Sequence, residues 1–160
     1  ELARELLQRL AEDAEDQVGV ALYRDPQQVA VDQPAEIPEQ MLEFARQAVA
    51  NALKDPQALS RGLGEYMTEP KPNVWFDEQS IKAEIPVGCG IELNRRTKMM
   101  FDAHHIFING ESYVASGNDA SIIRTLANER ELSASDVKKC SLQARRLIQD
   151  WAAAGWLHAV

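Results

Sequence analysis

The sequence predicts an α+β chain, mostly helical, in two parts: an N-terminal helical region and a C-terminal domain that sets three helices against a small antiparallel sheet. Three observations carry this reading. Apolar residues recur at helical spacing between Leu2 and Tyr66. The stretch Thr68-Glu69-Pro70-Lys71-Pro72-Asn73 then interrupts the pattern with two prolines in three residues, which favours an extended spacer. Beyond it, short β-type runs lead into helices with recognisable caps.

Leu2, Leu6, Leu7, Leu10, Ala14 and Val18 share one helical face, with Glu12, Asp13, Glu15 and Asp16 toward its far end. Gly19 weakens this helix, and Asp25-Pro26 ends any extension, because proline lacks a donor N–H and disfavours helix in the residue before it. A loop follows through Pro34. Pro38 suits the first turn of a second helix and Glu39 its positive end; Met41, Phe44, Ala45, Ala48, Val49, Ala52 and Leu53 then form one continuous apolar face. Asp55-Pro56 starts a third helix with Asp55 as N-cap, carrying Leu59, Leu63 and Tyr66, and Gly62 and Gly64 loosen it. Three short helices bury little by themselves, so this set calls for a partner surface, either the rest of its own protein or a second copy.

After the prolines, Gly90-Ile91-Glu92-Leu93, Met99-Met100-Phe101-Asp102 and His105-Ile106-Phe107-Ile108 read as short strands, and Asn109-Gly110 supplies a hairpin turn into Ser112-Tyr113-Val114-Ala115. Ile122, Ile123, Leu126 and Ala127 give a helical face after Gly117-Asn118. Ser133-x-x-Asp136 resembles a capping box, and Ser141 caps a last helix bearing Ala144, Leu147, Ile148, Trp151 and Ala152, stopped by Gly155. Trp156-Leu157-His158-Ala159-Val160 leaves room for a terminal strand. Strands, three helices and a terminal strand describe a winged-helix-like domain. The expected organisation is a helical region at 1–68, a Pro-rich linker at 69–75 and the winged-helix-like domain at 76–160.

Composition sets the outer bounds. With 45% apolar and 26% charged residues, the 160-residue chain has ordinary globular values. No apolar run approaches a membrane span, and Glu1-Leu2-Ala3-Arg4-Glu5 lacks a signal pattern, so cytoplasmic residence is the expectation. The chain opens on Glu1 inside an apolar-periodic run, which suggests a portion of something longer with a part upstream. Glu1 to Thr68 carries six basic and thirteen acidic residues, a net −7, whereas Glu69 to Val160 carries eleven and twelve, a net −1. That balance makes nucleic acid a poor partner, above all for the first half.

Chemistry is sparse. Asp102-x-His104-His105 offers metal-ligand types within four residues, but on a regular strand Asp102 and His104 share one face while His105 points to the other. They read instead as a strand-turn pair of partly exposed histidines. Neither His104, His105 nor His158 begins a His-x-Asp sequence. Cys89 and Cys140 have no Cys-x-x-Cys partner and no histidine at zinc spacing, so both read as buried or inert thiols. Ser112, Ser116 and Ser121 lack a nucleophile-elbow setting, and Gly88, Gly90 and Gly117 make no phosphate loop. Trp75, Trp151 and Trp156 read as core. Lys138, Lys139, Arg145 and Arg146 cluster on the last two helices, interleaved with Glu129, Glu131, Asp136 and Asp150, as in ordinary helix charge pairing. No catalytic, cofactor or metal residue is assigned within the chain, and the sequence alone does not make it an enzyme.

The order of these features resembles a known family. Tyr23-Arg24-Asp25-Pro26, then Pro34-Ala35-Glu36-Ile37-Pro38-Glu39-Gln40-Met41, the Asp55-Pro56 break, the Pro-rich linker and the closing Gly155-Trp156 are similar to the region after the catalytic barrel in cupin-type, Jumonji-related (JmjC) bacterial ribosomal oxygenases. Members of that family are protein hydroxylases that modify an arginine of a large-subunit ribosomal protein. The resemblance implies that this chain is the C-terminal fragment of such a 2-oxoglutarate dioxygenase. It would hold a helical dimerisation region and a winged-helix domain, joined to an upstream cupin barrel that binds Fe(II) and 2-oxoglutarate and receives the ribosomal protein. The implied partner is a second copy, with Met41, Phe44, Ala48, Ala52, Leu59 and Leu63 as the homodimer interface, a role the apolar face supports independently. The alternative reading is a winged-helix DNA-binding transcription regulator with an acidic helical dimerisation arm, in which Arg145 and Arg146 would contact DNA.

Overall fold

A computed structural model describes residues 1–15, 22–24, 26–27, 29, 32–76 and 85–160. The expectations for Val18, Gly19 and Asp25 lie outside the described residues. The chain divides into two compact units, Glu1–Gly62 and Leu63–Val160.

In the first unit, α1 spans Leu2–Glu15 and α2 spans Glu39–Ala52. Pro38 precedes α2 in extended backbone, and its carbonyl accepts from Met41 and Leu42. α3, Ala58–Thr68, starts three residues after the expected cap: the Asp55 carboxylate accepts from the Gln57 N–H at 2.9 Å and the Asp55 carbonyl from Ala58, so the cap forms one turn early. Arg61 bridges the carboxylates of Asp13 at 2.6 Å and Asp55 at 3.0 Å, tying the end of α1 to the start of α3.

The expected loosening at Gly62 and Gly64 does not occur. α3 runs through both glycines and ends at Thr68. Gly64 is required by packing, because a Cβ there would lie 2.4 Å from the Phe107 ring.

The second unit contains two three-stranded antiparallel sheets rather than one. β1 (Ile91–Leu93) lies between β5 (Glu131–Leu132) and β6 (Leu157–Ala159), pairing Ile91 with both Leu132 and Ala159. β3 (His105–Ile108) lies between β2 (Met99–Phe101) and β4 (Glu111–Val114). The Asn109-Gly110 turn joins β3 to β4 with φ of 48° and 91°, as a two-residue primed turn requires. The sequence does not signal the two-residue β5, since so short a strand carries no alternation.

α4 (Gly117–Glu129), α5 (Ala134–Lys139) and α6 (Leu142–Ala153) complete the unit. The Ser133 hydroxyl caps α5 by accepting from the Asp136 N–H at 3.2 Å, and Ser141 caps α6 through Ala144, also at 3.2 Å. Gly155 adopts a φ of 73° where α6 stops. Ile91, Leu93, Ile106, Ile108, Ile123, Leu126, Ile148 and Trp151 fill the core between the helices and the two sheets. Each such side chain contributes roughly 1.5–3 kcal/mol when fully buried. Trp75 is not core: it is 76% exposed, because it sits at the end of the Pro-rich stretch rather than on an element that faces the sheets.

Candidate functional site

The helical face at the centre of the first unit is uncovered. No residue of α2 is buried. Met41, Ala48 and Leu59 are exposed, while Phe44 and Ala52 are half-buried. Phe44 meets only part of its environment through an edge contact with Tyr23, the ring centroids 5.5 Å apart. Leu63, at the start of the second unit, is also exposed. Around the helix, Val49 and Leu53 join Leu7, Leu10, Ala11, Ala14 and Ala52 in lining a groove of about 420 Å³ between α1 and α2. On the opposite side Arg46 binds Glu39 at 2.8 Å and Glu43 at 3.2 Å, and at the flank Gln47 donates to Asn51 at 3.0 Å. A helix of this length with an unburied apolar stripe is marginal in water, so the surface is suited to association.

In the second unit, Asp102, His104 and His105 do not follow strand alternation. The chain bends at Ala103-His104, and the Asp102 carboxylate accepts from the backbone N–H of His104 at 2.7 Å and of His105 at 2.6 Å. His105 is consequently buried, its Nδ1 3.4 Å from the same carboxylate, and His104 is exposed. Burial pushes the Asp102 carboxyl up, but the two backbone donors and the His105 ring outweigh it and hold the pKa below the usual range. Arg124 closes the bend by donating to the Asp102 and Ala103 carbonyls. The cluster is a structural clasp. Among the described residues no three metal-ligating side chains converge.

Cys140 is buried, and that burial raises its thiol pKa; Cys89 is half-buried. The basic residues of the last two helices, Lys138, Lys139, Arg145 and Arg146, are exposed, with Lys139 held by Asp136 at 2.8 Å. A small cavity of about 140 Å³ lies between β4 and α6, with Ile106, Tyr113, Ile123 and Trp151 among its walls. Burial pushes the Tyr113 hydroxyl up to about 12, helped by its hydrogen bond to Glu111. This cavity holds a phenol that stays protonated, with the Asp119 carboxylate among its other walls.

Residues 51–158 match the family described as ROXA-like winged helix. Solved structures of YcfD, a ribosomal oxygenase from Escherichia coli, share the fold. The complex with cobalt and succinic acid has a TM-score of 0.77 at 14% identity, over 98% of this chain and 46% of that one. A second YcfD structure gives 0.72 at 16% identity over 98% and 46%, and the complex with cobalt and 2-oxoglutarate gives 0.70 at 16% over 98% and 45%. At such identities the likeness establishes the fold, and the chain spans less than half the length of these relatives. None of the curated proteins matches the chain in sequence. Among the described residues no helix is long and apolar enough to cross a membrane. The chain belongs to the ROXA-like winged-helix family, as its 51–158 match establishes.

Proposed function

We propose that this chain is the dimerisation and winged-helix C-terminal part of an Fe(II)- and 2-oxoglutarate-dependent ribosomal protein hydroxylase, acting on an arginine. Its catalytic cupin barrel would lie upstream, in the cytoplasmic parent protein. Family membership and the likeness to YcfD support the assignment to a ribosomal oxygenase. No observation favours the DNA-binding alternative.

The residues of this chain do not fit the iron. The facial arrangement needs two histidines and a carboxylate around open positions. Here His105 is already clasped to Asp102, and no third ligand approaches the pair among the described residues. No catalytic step is therefore assigned to this chain, and the metal and 2-oxoglutarate belong to the barrel.

The chain's own contribution is to hold two copies together. One observation carries this: α2 presents Met41, Phe44, Ala48 and Ala52 along one face, yet buries none of its residues within its own chain. A second copy supplies the missing cover, with Leu59 and Leu63 extending the interface. The test is sedimentation equilibrium of the chain and of Phe44→Asp, alongside hydroxylation of a ribosomal protein peptide by the parent with its barrel. The expected result is a dimer that Phe44→Asp converts to monomer without loss of the second unit's fold. A wild-type monomer at all concentrations, or a dimer indifferent to Phe44→Asp, would refute the dimer role; no hydroxylation by the parent would refute the enzymatic one.

A further inference from the structure

We propose that residues 70–76 and 94–98 together bind single-stranded RNA, one base stacking on the Trp75 indole and backbone phosphates meeting Lys71, Arg95, Arg96 and Lys98. The two segments are held side by side. Arg96 Nη1 donates to the Trp75 carbonyl at 2.7 Å, Lys98 Nζ donates to the Glu69 carbonyl at 2.8 Å, and the Phe76 ring meets Trp156 edge-on with centroids 6.4 Å apart. The Asn94 side chain fixes the second segment by accepting from the Arg96 N–H at 3.0 Å, and Arg130 donates to the Asn94 and Thr97 carbonyls.

On this braced platform the indole of Trp75 stays 76% exposed, although a tryptophan is ordinarily among the better buried side chains. Between them the two segments carry four cations and no acidic residue. The contacts of Arg96 and Lys98 are to carbonyl dipoles, which orient the cations without cancelling their charge.

An exposed aromatic face beside exposed cations is the arrangement that single-stranded nucleic acid uses, because bases stack on the ring while phosphates follow the charge. A duplex keeps its bases stacked on one another and offers the indole nothing. An acidic peptide satisfies the cations but leaves the indole in water. The choice of RNA over DNA rests on the reading of the parent as a ribosomal protein hydroxylase; binding of a single strand does not.

The experiment is fluorescence anisotropy of a labelled mixed-sequence 12-nucleotide RNA with the chain, at 50 and 200 mM salt. The same-sequence DNA strand, its duplex and an acidic peptide of equal charge serve as competitors. Binding of the single strand is expected to weaken roughly fiftyfold over that salt range, as about four phosphate contacts imply. Trp75→Ala should weaken it roughly tenfold at fixed salt, and Lys71→Ala with Arg95→Ala should lower the salt dependence, while Lys138→Ala with Arg146→Ala on the last two helices leaves it unchanged. None of these side chains is buried, so circular dichroism should report the same fold for every variant. No binding at 50 mM salt, equal competition by duplex or acidic peptide, or indifference to Trp75→Ala would overturn the proposal. Equal affinity for the DNA strand would overturn the assignment to RNA and leave the hydroxylase reading to its own assay.

Discussion

Two alanine substitutions in one helix should move stability in opposite directions. Gly62 and Gly64 both lie within α3, where alanine is intrinsically better than glycine by about 1 kcal/mol. At Gly62 a new Cβ meets Arg9 Cβ at 3.7 Å, an ordinary contact, so Gly62→Ala keeps most of that gain. At Gly64 the Cβ would lie 2.4–2.5 Å from three atoms of the Phe107 ring. Carbon atoms rest about 3.5–4.0 Å apart, so the ring must retreat by roughly 1 Å or more. Phe107 is buried in the sheet and has little room to do so. Overpacking of this kind costs about 1–3 kcal/mol, which offsets or exceeds the helix gain and leaves Gly64→Ala destabilised by up to about 2 kcal/mol. The separation between the variants is then about 1–3 kcal/mol, or on the order of 10 °C in melting temperature for a unit of this size. Thermal unfolding followed by circular dichroism at the helix band reads it directly. If Gly64→Ala melted at or above Gly62→Ala, the contact with Phe107 would not be what places a glycine there. Phe107→Leu in the Gly64→Ala background should recover part of the loss, since the smaller side chain vacates the clash.

Thr68→Val should cost about 1–3 kcal/mol despite its matched shape, because the buried Thr68 hydroxyl donates to the Gly64 carbonyl at 2.8 Å and accepts from the Gly110 N–H at 3.1 Å; a urea titration with an unchanged midpoint would contradict this. Acid should also destabilise the second unit. The Ser141 hydroxyl and N–H hold the Asp119 carboxyl below its usual range, and Asp102 is lowered by the balance already described, in which backbone donors outweigh burial. A carboxylate with a depressed folded-state pKa contributes stability above its unfolded value, about 3.9, and loses it as pH falls through the folded-state pKa. Unfolding free energy should therefore decline from about pH 4 downward. Asp102→Asn and Asp119→Asn should flatten that decline, and a decline identical to the parent's would rule out these two carboxylates as its source.

Much of the second unit was legible because its signals are local. Ser133 with Asp136, Ser141, Gly155 and Asn109-Gly110 each fix a backbone conformation within a few residues, and every one of them sits where its chemistry requires. What was not legible depends on contacts between distant segments. Gly64 reads as a helix breaker until Phe107 is brought against it. His105 reads as facing away from Asp102 until a bend, clamped by Arg124 from α4, turns it inward. Trp75 reads as core because tryptophan usually is, whereas the carbonyl tie to Arg96 holds its backbone at the surface. The basic residues escaped for the same reason: they lie in two segments separated by seventeen intervening residues, and any window wide enough to include both also collects the acids between them.

The two units differ in a way that bears on function. In the second, apolar side chains from α4, α5, α6 and both sheets meet in one core. In the first, Ala58 is the one buried hydrophobic residue among those described, while Leu7, Met41, Val49, Leu53 and Leu59 remain exposed. Such a unit gains too little from burial to offset the conformational entropy of ordering its helices, which is about 1–2 kcal/mol for each backbone residue fixed. In the proposed dimer, association would stabilise the helices as well as join the copies. The second copy would do both at once, which is why a single charge at Phe44, on the edge of the Tyr23 contact and in the middle of the apolar face of α2, is placed to undo the assembly without touching the winged helix.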